Sequence, residues 1–233
     1  MGKQFSQIEE QHRTFIESQK IFFVASAAPE GRINLSPKGM ATFRVLGAVD
    51  AAYLDCTGSG SETRAHLLAS PDKRLTVMFC AFVGAPSVLR LYGRGRSLMR
   101  GTPEYRAMIH HFEEMPGARQ IVHLEVEMVQ VSCGMGVPLF EYKEDRQSLV
   151  RYWINQGADN LRKYWGLKNV RSIDGLPTDF VPDIMAGASN AQTDAKPKSK
   201  AKCNAAPDAV RGLSPQRPSR GLPDRTYRMR MRA

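Results

Sequence analysis

The spacing of hydrophobic positions changes from a helical to an alternating period soon after the start of the chain. Phe5, Ile8, His12, Phe15 and Ile16 fall at helical spacing and predict an amphipathic helix over Lys3–Gln19. Ile21–Ala27 and Arg32–Ser36 follow, joined by Ala28-Pro29-Glu30-Gly31. Pro and Gly in so short a link predict a β-hairpin. Thr42–Leu46 and Ala51–Cys56 predict a second strand pair. Thr57-Gly58-Ser59-Gly60-Ser61 then reads as a loop, and Glu62–Ala69 as a short helix with Ser61 as N-cap, stopped at Ser70-Pro71. Leu75–Phe82 predicts a buried strand, and Val88–Leu98 another, with Leu89, Leu91 and Gly93 alternating against Arg90, Tyr92 and Arg94. Thr102–Glu114 predicts a helix with Thr102 as N-cap and Pro103 in first position. Gln120–Cys133 is the clearest strand: Val122, Leu124, Val126 and Met128 alternate with His123, Glu125, Glu127 and Val129. Asp145–Tyr164 predicts a last helix, carrying Leu149, Trp153 and Leu161.

Six or seven strands interrupted by short helices, without βαβ regularity, predict a mainly β fold. The expected form is a closed or half-closed antiparallel barrel with peripheral helices. Composition then divides the chain. Residues 186–233 have Val210, Leu213 and Leu222 as their only branched aliphatics, with five prolines. Such a segment buries too little apolar surface to offset its ordering entropy, so a disordered tail is expected there, after one domain over residues 1–185. Charge follows the same division. The last 48 residues hold 11 Lys and Arg against 3 Asp, and so carry most of the net charge of +10. The domain is close to neutral, which excludes reading it as a basic nucleic-acid binder. A nucleic-acid or acidic-membrane contact is left only for the tail, through Lys196–Lys202; a plain solvated extension is the alternative. No apolar run approaches the roughly 18 residues of a membrane span. The start of the chain has no apolar signal region. Cys56, Cys80, Cys133 and Cys203 lack CxxC spacing, so reduced thiols in a cytoplasmic protein are expected, rather than a disulfide framework or zinc site.

Three segments group residues that could bind an anion. In the loop Asp55–Arg64, backbone N–H groups at a helix start, the hydroxyls of Thr57, Ser61 and Thr63, and the cation of Arg64 suit a phosphate. An ordinary strand-to-helix turn is the alternative. Asn34, Ser36 and Lys38 alternate in an extended segment and share one face; Pro37 among them is equally in keeping with a solvent-facing edge strand. Arg90, Arg94 and Arg96 form a basic stripe of one parity, either a solvated face or an anion contact. His110, His111 and His123 do not make a metal pair by spacing. No Ser-His-Asp or Cys-His set can be picked out.

Taken in order, these segments resemble the pyridoxamine 5'-phosphate oxidase-like family, the flavin-binding split barrels. The carrying motifs are Asn34-Leu35-Ser36-Pro37-Lys38-Gly39, Tyr53-Leu54-Asp55-Cys56-Thr57-Gly58-Ser59-Gly60-Ser61 and Leu89-Arg90-Leu91-Tyr92-Gly93-Arg94-Gly95. Cys133-Gly134-Met135-Gly136-Val137-Pro138 and Ser172-Ile173-Asp174-Gly175-Leu176-Pro177 are similar to an uncharacterised branch. The resemblance implies an antiparallel split barrel, a homodimer, and FMN held by Asn34, Ser36, Lys38, Thr57, Ser61, Thr63, Arg64 and Arg90. It also implies an FMN-dependent oxidoreductase acting on a small organic substrate. Related split barrels bind deazaflavin or haem, so a non-catalytic binding protein is the alternative; for haem, His110, His111 and His123 would be the axial candidates. One departure stands out. The oxidases carry Ser-Arg-Lys where this chain has Ser61-Glu62-Thr63, and a glutamate in place of a cation opposes phosphate binding unless Arg64 compensates.

Overall fold

The alternating segments pair into one eight-stranded antiparallel sheet in the computed structural model, which describes residues 2–180. Its elements are β1 (Lys3–Phe5), α1 (Glu10–Ser18), β2 (Phe22–Ser26), β3 (Asn34–Lys38), β4 (Phe43–Val45), β5 (Asp50–Cys56) and α2 (Glu62–Ala69). There follow β6 (Arg74–Cys80), β7 (Val88–Met99), α3 (Pro103–Met108), β8 (Ala118–Ser132) and α4 (Ser148–Lys168). The strand order is β3-β2-β6-β7-β8-β5-β4, with β1 added on β8. The sheet curls into a half-barrel, a split barrel in form. Its inner face carries Val24, Tyr53, Val77, Phe79, Leu91, Val122 and Leu124, all buried. The boundary expected after Met185 and the basic segment 186–233 lie outside the described residues.

Three expectations change. Lys3–Gln19 is not one helix. Lys3–Phe5 pairs with Val129–Val131 of β8, and α1 starts at Glu10, where Glu9 and His12 form a reciprocal capping box. Phe5 keeps its place beside His12, ring to ring at 4.4 Å, so the spacing of the apolar residues reported a real contact but not its backbone. The alternation of β8 also slips. Tyr92 faces Met128 and Gly93 faces Val126, so Glu127 is an extra residue and the parity reverses beyond it. Val129, expected on the polar face, is therefore buried. Gly93 is required at the bulge, because a Cβ there would lie 1.8 Å from the Glu125 carbonyl oxygen. Finally, the helix expected over Thr102–Glu114 ends at Met108 and continues only as a 3₁₀ turn, Ile109–His111.

Helix α4 is broken at Gly157, whose φ of 70° and ψ of 173° are not helical. Each half contributes a buried tryptophan, and both indoles point to one residue. Trp153 Nε1 donates to the Thr57 carbonyl (3.1 Å), and Trp165 Nε1 to Thr57 Oγ1 (2.7 Å). The Thr57 hydroxyl donates in turn to the Gly117 carbonyl (2.6 Å). Gly117 has φ +82°, and a Cβ on it would meet the Trp153 ring at 2.4 Å. The C-terminal helix is thus bolted to the start of the glycine-rich loop.

One buried carboxylate ties this end of the sheet together. Asp55, near the end of β5, accepts from Arg119 Nε (2.8 Å) and Gln120 Nε2 (2.7 Å) of β8, and from Lys38 Nζ (3.0 Å) of β3. Arg119 Nη1 then donates to Asn169 Oδ1 beyond α4 (2.9 Å). Burial pushes the Asp55 carboxyl up, but Arg119, Lys38 and the hydrogen bonds from Gln120 and Lys38 outweigh it. The net result lies well below the usual carboxylate range. A depressed folded value stabilises the fold above the unfolded value near 4, and the gain is lost as pH falls below it. Asp55→Asn leaves Arg119 buried without its counter-charge, which costs about 3–5 kcal/mol for a broken buried pair. Urea unfolding at pH 7 should show that loss, and should show a shallower fall in stability below about pH 4 than in the parent chain.

Candidate functional site

The open end of this tie is a cavity of about 720 Å³, within the range of small-molecule and cofactor sites. One wall is β3. Its alternation puts Asn34, Ser36 and Lys38 toward the cavity, while Leu35 and Pro37 are exposed. Asp55, Arg119 and Gln120 line it from β5 and β8, with Cys56 beside them. Residues 58–63 bring the glycine-rich loop and the first turn of α2. Arg171, Ser172 and Ile173 reach it from the segment after α4.

Polar groups at the wall are partly paired and partly left open. Asn34 Nδ2 donates to Ser26 Oγ and to Thr63 Oγ1, both at 3.2 Å. Ser26 Oγ lies 3.1 Å from His66 Nδ1. His66 Nε2 is buried without a partner, and so is Ser61 Oγ. Ser61 occupies the N-cap position of α2, yet its hydroxyl caps nothing. Two residues that line this cavity thus each carry a buried polar atom with no hydrogen-bond partner among the described residues.

The charge balance favours an anion. Arg32, Lys38, Arg119 and Arg171 line the cavity against the carboxylates Asp55 and Glu62. The Cys56 thiol is pushed up to about 12, by burial first and then by Asp55. It is protonated at neutral pH and is no nucleophile. Among the described residues, no cluster of three His, Cys, Asp or Glu is placed to hold a metal ion.

Of the eight residues expected at a cofactor, the fold brings Asn34, Ser36, Lys38, Ser61 and Thr63 together on this cavity. Thr57, Arg64 and Arg90 are elsewhere. Thr57 is used up by the two tryptophans and Gly117. Arg64 lies on the far side of α2: its Nε donates to the Thr178 carbonyl, its Nη1 to Ser97 Oγ (2.8 Å), and its guanidinium stacks over Phe180. It therefore does not offset Glu62. Arg90 sits near the start of β7 and donates to Ser132 Oγ (3.0 Å). Arg94 pairs with Glu127 on the surface. The histidines also lie off the cavity: His123 Nε2 is 3.0 Å from Asp50 Oδ1, and the exposed rings of His110 and His111 stack at 4.0 Å. Sequence reasoning passed over Arg119, Gln120, His66 and Arg171. For Arg119 and Gln120 a signal existed, since two polar residues interrupt the buried start of β8. For Arg171 there was none, because nothing in its spacing relates it to a loop more than 100 positions earlier.

The family profile described as Pyridoxamine 5'-phosphate oxidase matches residues 8–133. A curated relative from Aspergillus flavus, described as the pyridoxamine 5'-phosphate oxidase family protein ustO, is 36% identical over 193 residues, spanning 74% of this chain and 76% of that protein. Among solved structures, HupZ of Group A Streptococcus matches with a TM-score of 0.42 at 18% identity, covering 54% of this chain and 99% of HupZ. HutZ, a haem-storage protein of Vibrio cholerae, matches with a TM-score of 0.39 at 15% identity, covering 55% and 98%. By the profile match over more than half its length and by the curated relative, the chain belongs to the pyridoxamine 5'-phosphate oxidase family.

Proposed function

We propose that the cavity binds flavin mononucleotide and that the protein is an FMN-dependent oxidoreductase acting on a small organic substrate. The observation that carries this reading is the buried, unpartnered Ser61 hydroxyl at the start of α2, in a cavity with more cations than carboxylates. A phosphate monoester supplies acceptor oxygens for such a hydroxyl and for the backbone N–H groups of a helix start. Ser61, Thr63 and the backbone of residues 58–60 would hold the phosphate end. Asn34, Ser36 and Lys38 on β3 would face the polar rest of the cofactor. Bound flavin supplies hydride and electron transfer; the protein supplies binding, orientation and electrostatics.

The chain's own groups are suited to that division of labour. Asp55 holds Lys38 and Arg119 in fixed positions, so their charges are preorganised rather than swung in on binding. His66 Nε2 is a buried ring nitrogen without a protein partner, on a residue that lines the same cavity. No nucleophile is needed, in keeping with the protonated Cys56 thiol. The homodimer belongs to the same reading: Ile33 (76% exposed) and Leu35 (64%) lie beside the cavity at the sheet edge, and a second copy would cover them. A cytoplasmic setting fits three free cysteines among the described residues. No described helix is long and apolar enough to cross a membrane.

The purified protein, mixed with FMN and desalted, should retain flavin absorbance in near-equal molar amount. A chain that takes up none rejects the reading. Lys38→Ala should weaken FMN binding about tenfold, the scale of one lost charge-assisted contact. Iodoacetamide at neutral pH should label the exposed Cys133 and spare Cys56, read by peptide mass; rapid labelling of Cys56 would reopen thiol chemistry at the site.

A further inference from the structure

The segment from Asn169 to Phe180 has no regular helix or strand, yet hydrogen bonds hold it both to itself and to the cavity wall. It folds on itself through an Arg171–Pro177 bridge, Ser172 N–H to the Leu176 carbonyl (2.9 Å) and Thr178 Oγ1 to the Asn169 carbonyl. Three attachments then fix it to the cavity wall. Asn169 Nδ2 donates to the Gly58 carbonyl (3.1 Å). Asp174 pairs with the Arg32 guanidinium and accepts the Arg32 backbone N–H (2.8 Å). Both carboxylate oxygens of Glu62 accept the Ile173 backbone N–H, at 3.2 and 3.1 Å.

The last contact gives Glu62 a role. A carboxylate in the first turn of α2 opposes an anion at that helix start, and its repulsion has to be offset. What Glu62 holds is the loop that carries a cation. Of the four cations lining the cavity, Lys38 and Arg119 are paired with Asp55, and Arg32 with Asp174. Arg171 alone of the four has no carboxylate within ion-pair distance among the described residues. One of its guanidinium nitrogens donates to the Gly175 carbonyl (2.9 Å), which orients the group within its own loop.

We propose that Arg171 is an anion-binding residue of this cavity, that its ligand group is a phosphate monoester, and that Glu62 is a positioning residue acting through it. The inference rests on the cavity being an anion site, and is independent of whether the rest of the ligand is a flavin. A guanidinium with free N–H groups can grip two phosphate oxygens at once, which a lysine cannot.

The test uses the full chain with inorganic phosphate as the probe, at constant ionic strength set with chloride. Phosphate should raise the thermal midpoint of the parent chain. Arg171→Ala should weaken the apparent phosphate affinity about tenfold, the scale of one charge-assisted pair. Arg171 is exposed, so this variant should fold, and its phosphate-free midpoint provides the check. Glu62→Gln keeps an acceptor for Ile173 N–H and should retain phosphate binding, whereas Glu62→Ala should weaken it, by no more than Arg171→Ala does. In the Arg171→Ala background, Glu62→Ala should cause no further loss. A parent chain that does not respond to phosphate, or an Arg171→Ala variant that responds like the parent, overturns the proposal. An equal loss from Glu62→Ala with and without Arg171 overturns the positioning role. Phosphate binding through Arg171 in a chain that takes up no FMN supports this inference and sinks the flavin reading alone.

Discussion

The burial of a single charge at Asp55 organises this end of the molecule. A carboxylate nearly out of reach of water is tolerable only if it is fully paired. Here two cations and an amide donor meet that demand, and they come from β3 and β8, with Asn169 braced behind Arg119. The edge strand, the central strand and the segment after α4 are drawn together by one electrostatic requirement. Lys38 and Arg119 together bring one positive charge more than Asp55 neutralises, so the same contacts that hold the fold leave the cavity electropositive.

A second constraint works alongside it. Thr57 is fixed by two indoles and by Gly117, and the loop of residues 58–61 hangs between that anchor and α2. Both constraints draw on residues beyond the region matched by the family profile, which ends at 133. Trp153, Trp165 and Asn169 are therefore parts of the site's support in this chain. Fixing the loop from behind leaves its backbone free on the cavity side, as a site for an anion requires.

The parts of this account that could be read from the chain are those governed by a local period. The parity of Asn34, Ser36 and Lys38 put all three on one face, and the sheet honours it. Glu62–Ala69 is a helix over the range that its N-cap and its Ser-Pro stop mark. Illegible features depend on azimuth or on distant pairing. Arg64 and Thr63 are neighbours, yet a 100° step around α2 sends one to Thr178 and the other to the cavity. The reversal of parity in β8 depends on a bulge that Gly93 of another strand makes room for. Lys3–Phe5 has helical spacing but joins a sheet, because β8 offers it an edge. Arg32 and Asp174 meet across 142 positions, a separation that no periodicity can report.

The central claim is that Asp55 is an ionised carboxylate held by Lys38, Arg119 and Gln120. It is tested most directly by following the Asp55 side-chain carboxyl with ¹³C NMR as pH is lowered. The account predicts that this resonance stays at its ionised position through the range where ordinary carboxylates titrate, near pH 4, and moves only when the protein unfolds. A protonation step of the folded protein at or above that range would contradict it.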